Sequence, residues 1–341
     1  MAEEQDLAAL SITQFSRQCW QGWQEAGELE LDPNFSQDLA NVIFCGMGGS
    51  ALGPEVLRDN WARQLKIPWL LNRDYKLPFI VSDRSLVVLN SYSGNTEEVL
   101  AAAEEARGAG ARVIVVSTNG QLEAWAVEHK YPYLKLDPQY NPSRQPRLGL
   151  GYSLFALWRL LQQWGLLSRC SEGEVRKILQ DLDQLRLAEG AKKLAGRLKK
   201  RIPFLIAAEH LCGAVHVWSN CFNENSKSFS FYAYLPEFNH HYLEGLSFPA
   251  ETRNYFYFLL WDSPFYSDSL QRRLYLTQEL LEKRGYRVLL RRQELKNPWL
   301  ETLAVIKEGL WVSYYLAREY EVDPLPVPAV EQFKLRLQEK G

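Results

Sequence analysis

Two stretches of this chain follow one local pattern: "NVIFCGMGGSALG" from Asn41 to Gly53 and "LVVLNSYSGNTEEVL" from Leu86 to Leu100. Each begins as a short, continuous apolar run, passes through a tight turn containing glycine and enters a helical pattern. Continuous runs rich in branched residues are expected of strands covered on both faces, as in a parallel sheet. "IPWLL" (Ile67 to Leu71) and "RVIVV" (Arg112 to Val116) are further runs of this kind. Between the last two strands, "NTEEVLAAAEEARGAGA" predicts a helix, with a polar cap at Asn95 or Thr96, Glu97 and Glu98 in the first turn and a stop at Gly108. Strand, turn, helix and strand form one βαβ unit, and the first half is read as a parallel α/β sheet. From Tyr131 to Ser143 the prolines indicate a strand running into a loop.

The second half repeats the plan more faintly. "FLIAA" (Phe204 to Ala208), "YFYFLLW" (Tyr255 to Trp261) and "RVLLR" (Arg287 to Arg291) read as strands, with helical patterns over Leu270 to Lys283 and Leu300 to Arg318. Ser168 to Leu198 reads as a helical connector. A length of 341 residues suits two domains, expected at 1–165 and 166–341. Lys and Arg number 39 against 41 Asp and Glu, so charge gives no reason to expect a nucleic acid or an anionic membrane as partner. The N-terminal stretch lacks a basic region followed by an apolar one, and no run approaches the ~20 apolar residues of a spanning helix, so a cytoplasmic location is expected. Five scattered cysteines without a CxxC suit a reducing compartment; they are read as small buried hydrophobes, not as disulfide or zinc positions.

The glycines of "GMGGSALG" let backbone N–H groups approach an anion at a helix start. They fit a dinucleotide fingerprint poorly: its third glycine position holds Ala51, and no acid to hold a ribose occurs near Trp69 to Asn72 before Asp74. A tight turn with no ligand is the alternative on this segment alone. In "SYSGNTEE", Ser91, Ser93 and Thr96 converge with Gly94 at a second helix start. Three hydroxyls at the positive end of a helix suit a phosphate monoester. One of these side chains could instead simply cap the helix.

Taken together, "GMGGSALG" and "SYSGNTEE" resemble the sugar isomerase (SIS) domain, a phosphosugar-binding doubly wound fold. "QPRLGLGY" (Gln145 to Tyr152), "NENSK" (Asn223 to Lys227), "LPEFNHH" (Leu235 to His241) and "DPLPV...EQFKLRL" (Asp323 to Leu337) follow in the order and spacing of the bifunctional phosphoglucose/phosphomannose isomerase family. The resemblance spans nearly the whole chain. It implies two SIS-type doubly wound parallel-sheet domains in tandem and a metal-independent aldose–ketose isomerase acting on a hexose 6-phosphate, with no cofactor. It also implies a homodimer whose active site lies at the interface.

Such a reaction opens a sugar ring and moves a proton between C1 and C2 through an enediolate, so it needs a base, a ring-opening acid/base and a positive charge. The resemblance assigns Glu224 as the base, a task that suits a carboxylate whose pKa is raised by partial burial. It assigns His240, supplied from the partner subunit, to ring opening, which suits a side chain able to give and take a proton. Lys334 is implied near the sugar ring and Arg147 as the cation facing the enediolate. Gly49, Ser50, Ser91, Ser93 and Thr96 are implied as the phosphate cradle. His129, His210, His216 and His241 match no motif and are read as structural or surface residues.

The chain departs from its relatives at "GAVHVWSN", where they tend to carry a basic pair, at "FLIAAEH", a less glycine-rich strand end, and at Val327, where a small hydroxyl residue is usual. These changes bear on glucose against mannose preference. Two other readings compete: a SIS-fold module that binds a phosphosugar without turnover, and a nucleotide-dependent dehydrogenase, which the missing ribose acid and the serine-rich second loop disfavour.

Overall fold

All the paired strands run parallel, as the buried apolar runs require. The computed structural model describes residues 6–32 and 34–339. Helices α1 (Leu7–Thr13) and α2 (Phe15–Glu28) precede β1 (Asn41–Cys45), α3 (Gly49–Trp61), β2 (Trp69–Asn72), β3 (Ser85–Asn90), α4 (Glu97–Gly108), β4 (Arg112–Ser117), α5 (Gln121–His129) and β5 (Tyr133–Lys135). A single 3₁₀ turn (Pro146–Leu148) and helices α6 (Leu150–Gln163), α7 (Glu172–Gln184) and α8 (Leu187–Leu198) lead to the second half. There β6 (Ile202–Ala207), a 3₁₀ turn (Glu209–Leu211), α9 (Cys212–Asn225), β7 (Phe231–Tyr234), α10 (Phe238–Gly245) and α11 (Thr252–Tyr255) are followed by β8 (Phe256–Asp262), α12 (Asp268–Lys283), β9 (Arg287–Arg292), α13 (Pro298–Glu319) and α14 (Pro328–Gln338).

The first sheet has the order β2-β1-β3-β4-β5 and the second β7-β6-β8-β9. In both, the strand order reverses beside the first strand, between β1 and β3 and again between β6 and β8. In open α/β sheets ligands bind at the carboxyl ends of the strands flanking that reversal. Side chains alternate along each strand of the first sheet. Val42, Phe44, Leu86 and Val88 face a core shared with the second sheet, while Ile43, Cys45, Val87 and Leu89 pack against Val99, Ala102 and Ala106 of α4 and Leu122 of α5. Burial on both faces is the doubly wound plan.

The two halves meet where α3 crosses α9. A Cβ on Gly213 of α9 would lie 2.8 Å from the Cα of Val56 on α3, so glycine permits this backbone approach. Beside the crossing, the buried Glu55 of α3 meets His216 Nδ1 of α9 at 2.9 Å, accepts from Tyr234 Oη at 3.3 Å and pairs with Arg73. Burial would raise its pKa, but the bonds to His216 and Arg73 outweigh that and hold the carboxyl at about 2, below the usual 4.5.

Some local expectations need correction. Strand β7, "FYAY", was not anticipated, because four aromatic and small residues carry no clear period. Thr96 is the N-cap residue of α4, yet its side chain makes no capping bond. Helix α4 does stop at Gly108, but the left-handed residue behind it is Gly110, at φ +68°. Cys19, Cys45 and Cys221 are buried as expected, whereas Cys170 and Cys212 are partly exposed. The connector is the helix pair α7 and α8, which packs onto α2 and α13.

Candidate active site

The loops after β1 and β3 sit at the first reversal of strand order and are tied together. Asn90, at the end of β3, donates from Nδ2 to the carbonyl of Ser50 at 2.6 Å, and the Tyr92 N–H donates to Ser50 Oγ at 3.0 Å. Ser91 Oγ and Thr96 Oγ1 share a hydrogen bond of 2.8 Å, so the Thr96 hydroxyl turns toward the loop and not onto the helix end. Ser93 is exposed and its Oγ accepts from the Asn95 N–H at 3.3 Å. The turn between Ser93 and Asn95 requires Gly94: it lies at φ +65°, and a Cβ there would collide with the carbonyl of Asn119. Helices α3 and α4 thus direct their N-termini, with their free N–H groups, at one hydroxyl-lined corner.

Arg147 stands directly behind this corner. A Cβ on Gly49 would come within 3.2 Å of the Arg147 backbone nitrogen, so the glycine turn and the 3₁₀ turn are in contact. The side chain is buried and its guanidinium is fully engaged. Nε donates to Asn225 Oδ1 at 2.5 Å, Nη1 to Gln145 Oε1 at 2.9 Å and to Glu224 Oε2 at 3.0 Å, and Nη2 to the carbonyls of Pro324 and Leu325 at 2.7 and 2.8 Å. A planar fork with five donors can satisfy such a set; an ammonium cannot. Glu224, in the last turn of α9, is only partly exposed, with its carboxylate held by this arginine.

Lys227 closes the other side. It lies at φ +53° and its Nζ donates to the carbonyls of Glu224 at 2.8 Å, Asn225 at 3.3 Å and Asp323 at 2.9 Å. Although Lys227 is exposed overall, partial desolvation of its ammonium, followed by the charge of Arg147, lowers its pKa from the usual value. Gln145, Asn225 and Lys227 carried no assigned role in the sequence reading, although each lies inside a segment that resembles the family.

Neither His240 nor Lys334 bonds to this cluster. His240 is exposed on α10, Lys334 is exposed on α14, and among the described residues no hydrogen bond or ion pair joins either to Arg147 or Glu224. None of these residues lines the cavity of about 620 Å³ that opens between the start of α2, the α7–α8 turn and Lys307 and Trp311 of α13.

The equivalent corner of the second half is filled by its own side chains. Glu301 of α13 meets His210 Nε2 at 2.9 Å and accepts from Ser263 Oγ at 2.6 Å. The Ala208 N–H, just after β6, donates to Tyr266 Oη at 3.0 Å. All five of these residues are buried.

Residues 188–337 match the family model described as the bacterial phospho-glucose isomerase C-terminal SIS domain. Among solved structures, tagatose-6-phosphate ketose/aldose isomerase from Escherichia coli superposes with a TM-score of 0.75 over 95% of each chain at 12% identity, a likeness of fold. The bifunctional phosphoglucose/phosphomannose isomerase of Aquifex aeolicus is 31% identical over 298 residues, 87% of this chain and 90% of its own. That of Caldicellulosiruptor bescii is 31% identical over 320 residues, 89% of this chain and 91% of its own. Identity at that level across both sheets, with the glycine turn, the serine loop and the Arg147–Glu224 pair in one place, means that the chain belongs to the bifunctional phosphoglucose/phosphomannose isomerase family.

Proposed function

We propose that this protein interconverts glucose 6-phosphate, mannose 6-phosphate or both with fructose 6-phosphate by ring opening and enediolate proton transfer, and that residues 1–165 and 166–341 are its two SIS domains. One juxtaposition carries the reading: the hydroxyl-lined corner abuts the arginine that holds Glu224. The N–H of Gly49 and the hydroxyls of Ser50, Ser91, Ser93 and Thr96 seat the phosphate, with the positive ends of α3 and α4 favouring the dianion. Glu224 then takes the proton from one sugar carbon and returns it to the other. Arg147, already desolvated and fixed, stabilises the developing oxyanion without reorganising.

The reading includes a homodimer. The exposed His240 opens the ring in the site of a second copy, and Lys334 lies near the sugar. Support comes from the exposure of both side chains and from the apolar Phe229, Phe248 and Phe333, each more than half exposed on one chain.

The test is a coupled assay with fructose 6-phosphate in the presence of a chelator, following glucose 6-phosphate and mannose 6-phosphate separately. Product in either channel is expected, in a concentration-dependent manner that tracks dimer formation. Saturable binding of fructose 6-phosphate with no product would defeat the isomerase and leave a phosphosugar-binding module.

A further inference from the structure

Helix α14 leaves the body of the protein after a short segment, Asp323 to Val327, and exposes Val330, Phe333, Leu335 and Leu337 to solvent. Leu325 packs against the core, and a pair of cations holds the segment from the polar side. The carbonyls of three successive residues, Asp323, Pro324 and Leu325, accept from Lys227 Nζ, Arg147 Nη2 and Arg147 Nη2 respectively. Asp323 Oδ1 accepts from the Leu325 N–H at 2.9 Å, which folds the segment so that these carbonyls turn the same way. The proline pattern of "DPLPVP" then stiffens the path into α14.

The same two cations grip the base candidate from both ends. Arg147 holds the Glu224 carboxylate, and Lys227 holds the Glu224 main-chain carbonyl at the C-terminal end of α9. Carbonyls at a helix C-terminus lack intrahelical donors, so a cation there both satisfies them and meets the negative end of the helix dipole. Lys227 sits at φ +53° just past the end of α9, the left-handed position at which helices commonly stop, and the Ser228 N–H returns to the Phe222 carbonyl at 3.0 Å. What sets this lysine apart is that its ammonium has three carbonyl acceptors, two at the end of α9 and one at Asp323.

We propose that Lys227 is a positioning residue for isomerisation: its ammonium fastens the 323–325 segment to the end of α9 and so fixes α14, with Lys334, relative to Glu224. Lys227 acts through the segment and does not touch the sugar. The inference rests on the isomerase reading.

The test uses the full chain with Lys227→Met, which keeps the stem and removes the donors, and Lys227→Arg, which restores donors to carbonyls. Steady-state isomerisation and amide hydrogen exchange, read by mass spectrometry over 320–337, are measured on each. For Lys227→Met, exchange in this segment rises about tenfold or more while the strands stay protected. In the same variant kcat falls about 10- to 100-fold, as expected for a misplaced group, and KM for fructose 6-phosphate stays within about threefold because the phosphate corner is untouched. Lys227→Arg recovers most of both. Faster exchange with unchanged kcat would overturn the role, and so would a fall in kcat with unchanged exchange, which would make Lys227 a direct substrate contact. Absence of turnover in the unmodified protein would instead refute the isomerase reading, and the two failures are therefore distinct.

Discussion

Glu55 gives a quantitative test of how the two halves are joined. Its carboxyl is held at about 2 against 4.5 unperturbed, so the unfolded chain binds more protons than the folded one between these values. The contribution to stability is therefore complete above about pH 4.5 and is lost as pH falls through about 2. At about 1.36 kcal/mol per pKa unit, the shift corresponds to about 3 kcal/mol near neutral pH, within the range for removing one partner of a buried ion pair. Glu55→Gln keeps the shape and removes the charge that faces Arg73 and His216. Urea unfolding followed by tryptophan fluorescence should show the variant about 3 kcal/mol less stable near pH 7, with the gap narrowing to about 1.4 kcal/mol near pH 3. A constant offset from the amide would shift both values equally, so the narrowing carries the test. A gap that stays flat between these two pH values would refute the argument that this carboxylate ties α3 to α9 through its charge.

Three further outcomes follow from the site and the core. Glu224→Gln should leave fructose 6-phosphate binding by calorimetry within about threefold while isomerisation falls about 1000-fold; near-normal turnover would remove Glu224 from the base role. Arg147→Lys keeps the positive charge but cannot reproduce five bonds in one plane, so kcat should fall about 100-fold; a variant as active as the wild type would show that charge alone suffices. Gly309→Ala on α13 would drive a methyl group into the buried Trp218 indole, whose Nε1 donates to the Val305 carbonyl at 2.6 Å. It should cost about 1–3 kcal/mol by urea unfolding at unchanged activity, and an unchanged midpoint would mean that α9 and α13 can move apart freely.

The strands legible in the sequence were those whose apolar runs are continuous, and each of these lies within two residues of its observed bounds. β7 was missed because Phe231 to Tyr234 has too few residues to show a period. That the glycine turn and the serine loop form one corner was legible because glycines and hydroxyls cluster there in sequence. The environment of Arg147 was not. Two of its five acceptors are main-chain carbonyls some 177 residues away, and carbonyls leave no mark in a sequence. Glu55 looks like any acid on a helix until α9 and β7 are folded against it. Lys227 lies within a segment that resembles the family, yet what distinguishes it from a solvated lysine is three main-chain carbonyl acceptors, which again leave no mark in a sequence.

The filled corner of the second half has a consequence for binding stoichiometry. A phosphate placed there would have to displace the Tyr266 hydroxyl from the Ala208 N–H and would face the Glu301 carboxylate across Ser263. Two sheets of the same plan have thus taken on unequal duties. The first presents two helix N-termini and a set of hydroxyls at its corner, and the second has closed its own with internal hydrogen bonds, while its α9 carries Glu224 to Arg147 of the first. Saturation should therefore occur at one phosphosugar per chain, so a dimer would carry two sites and not four.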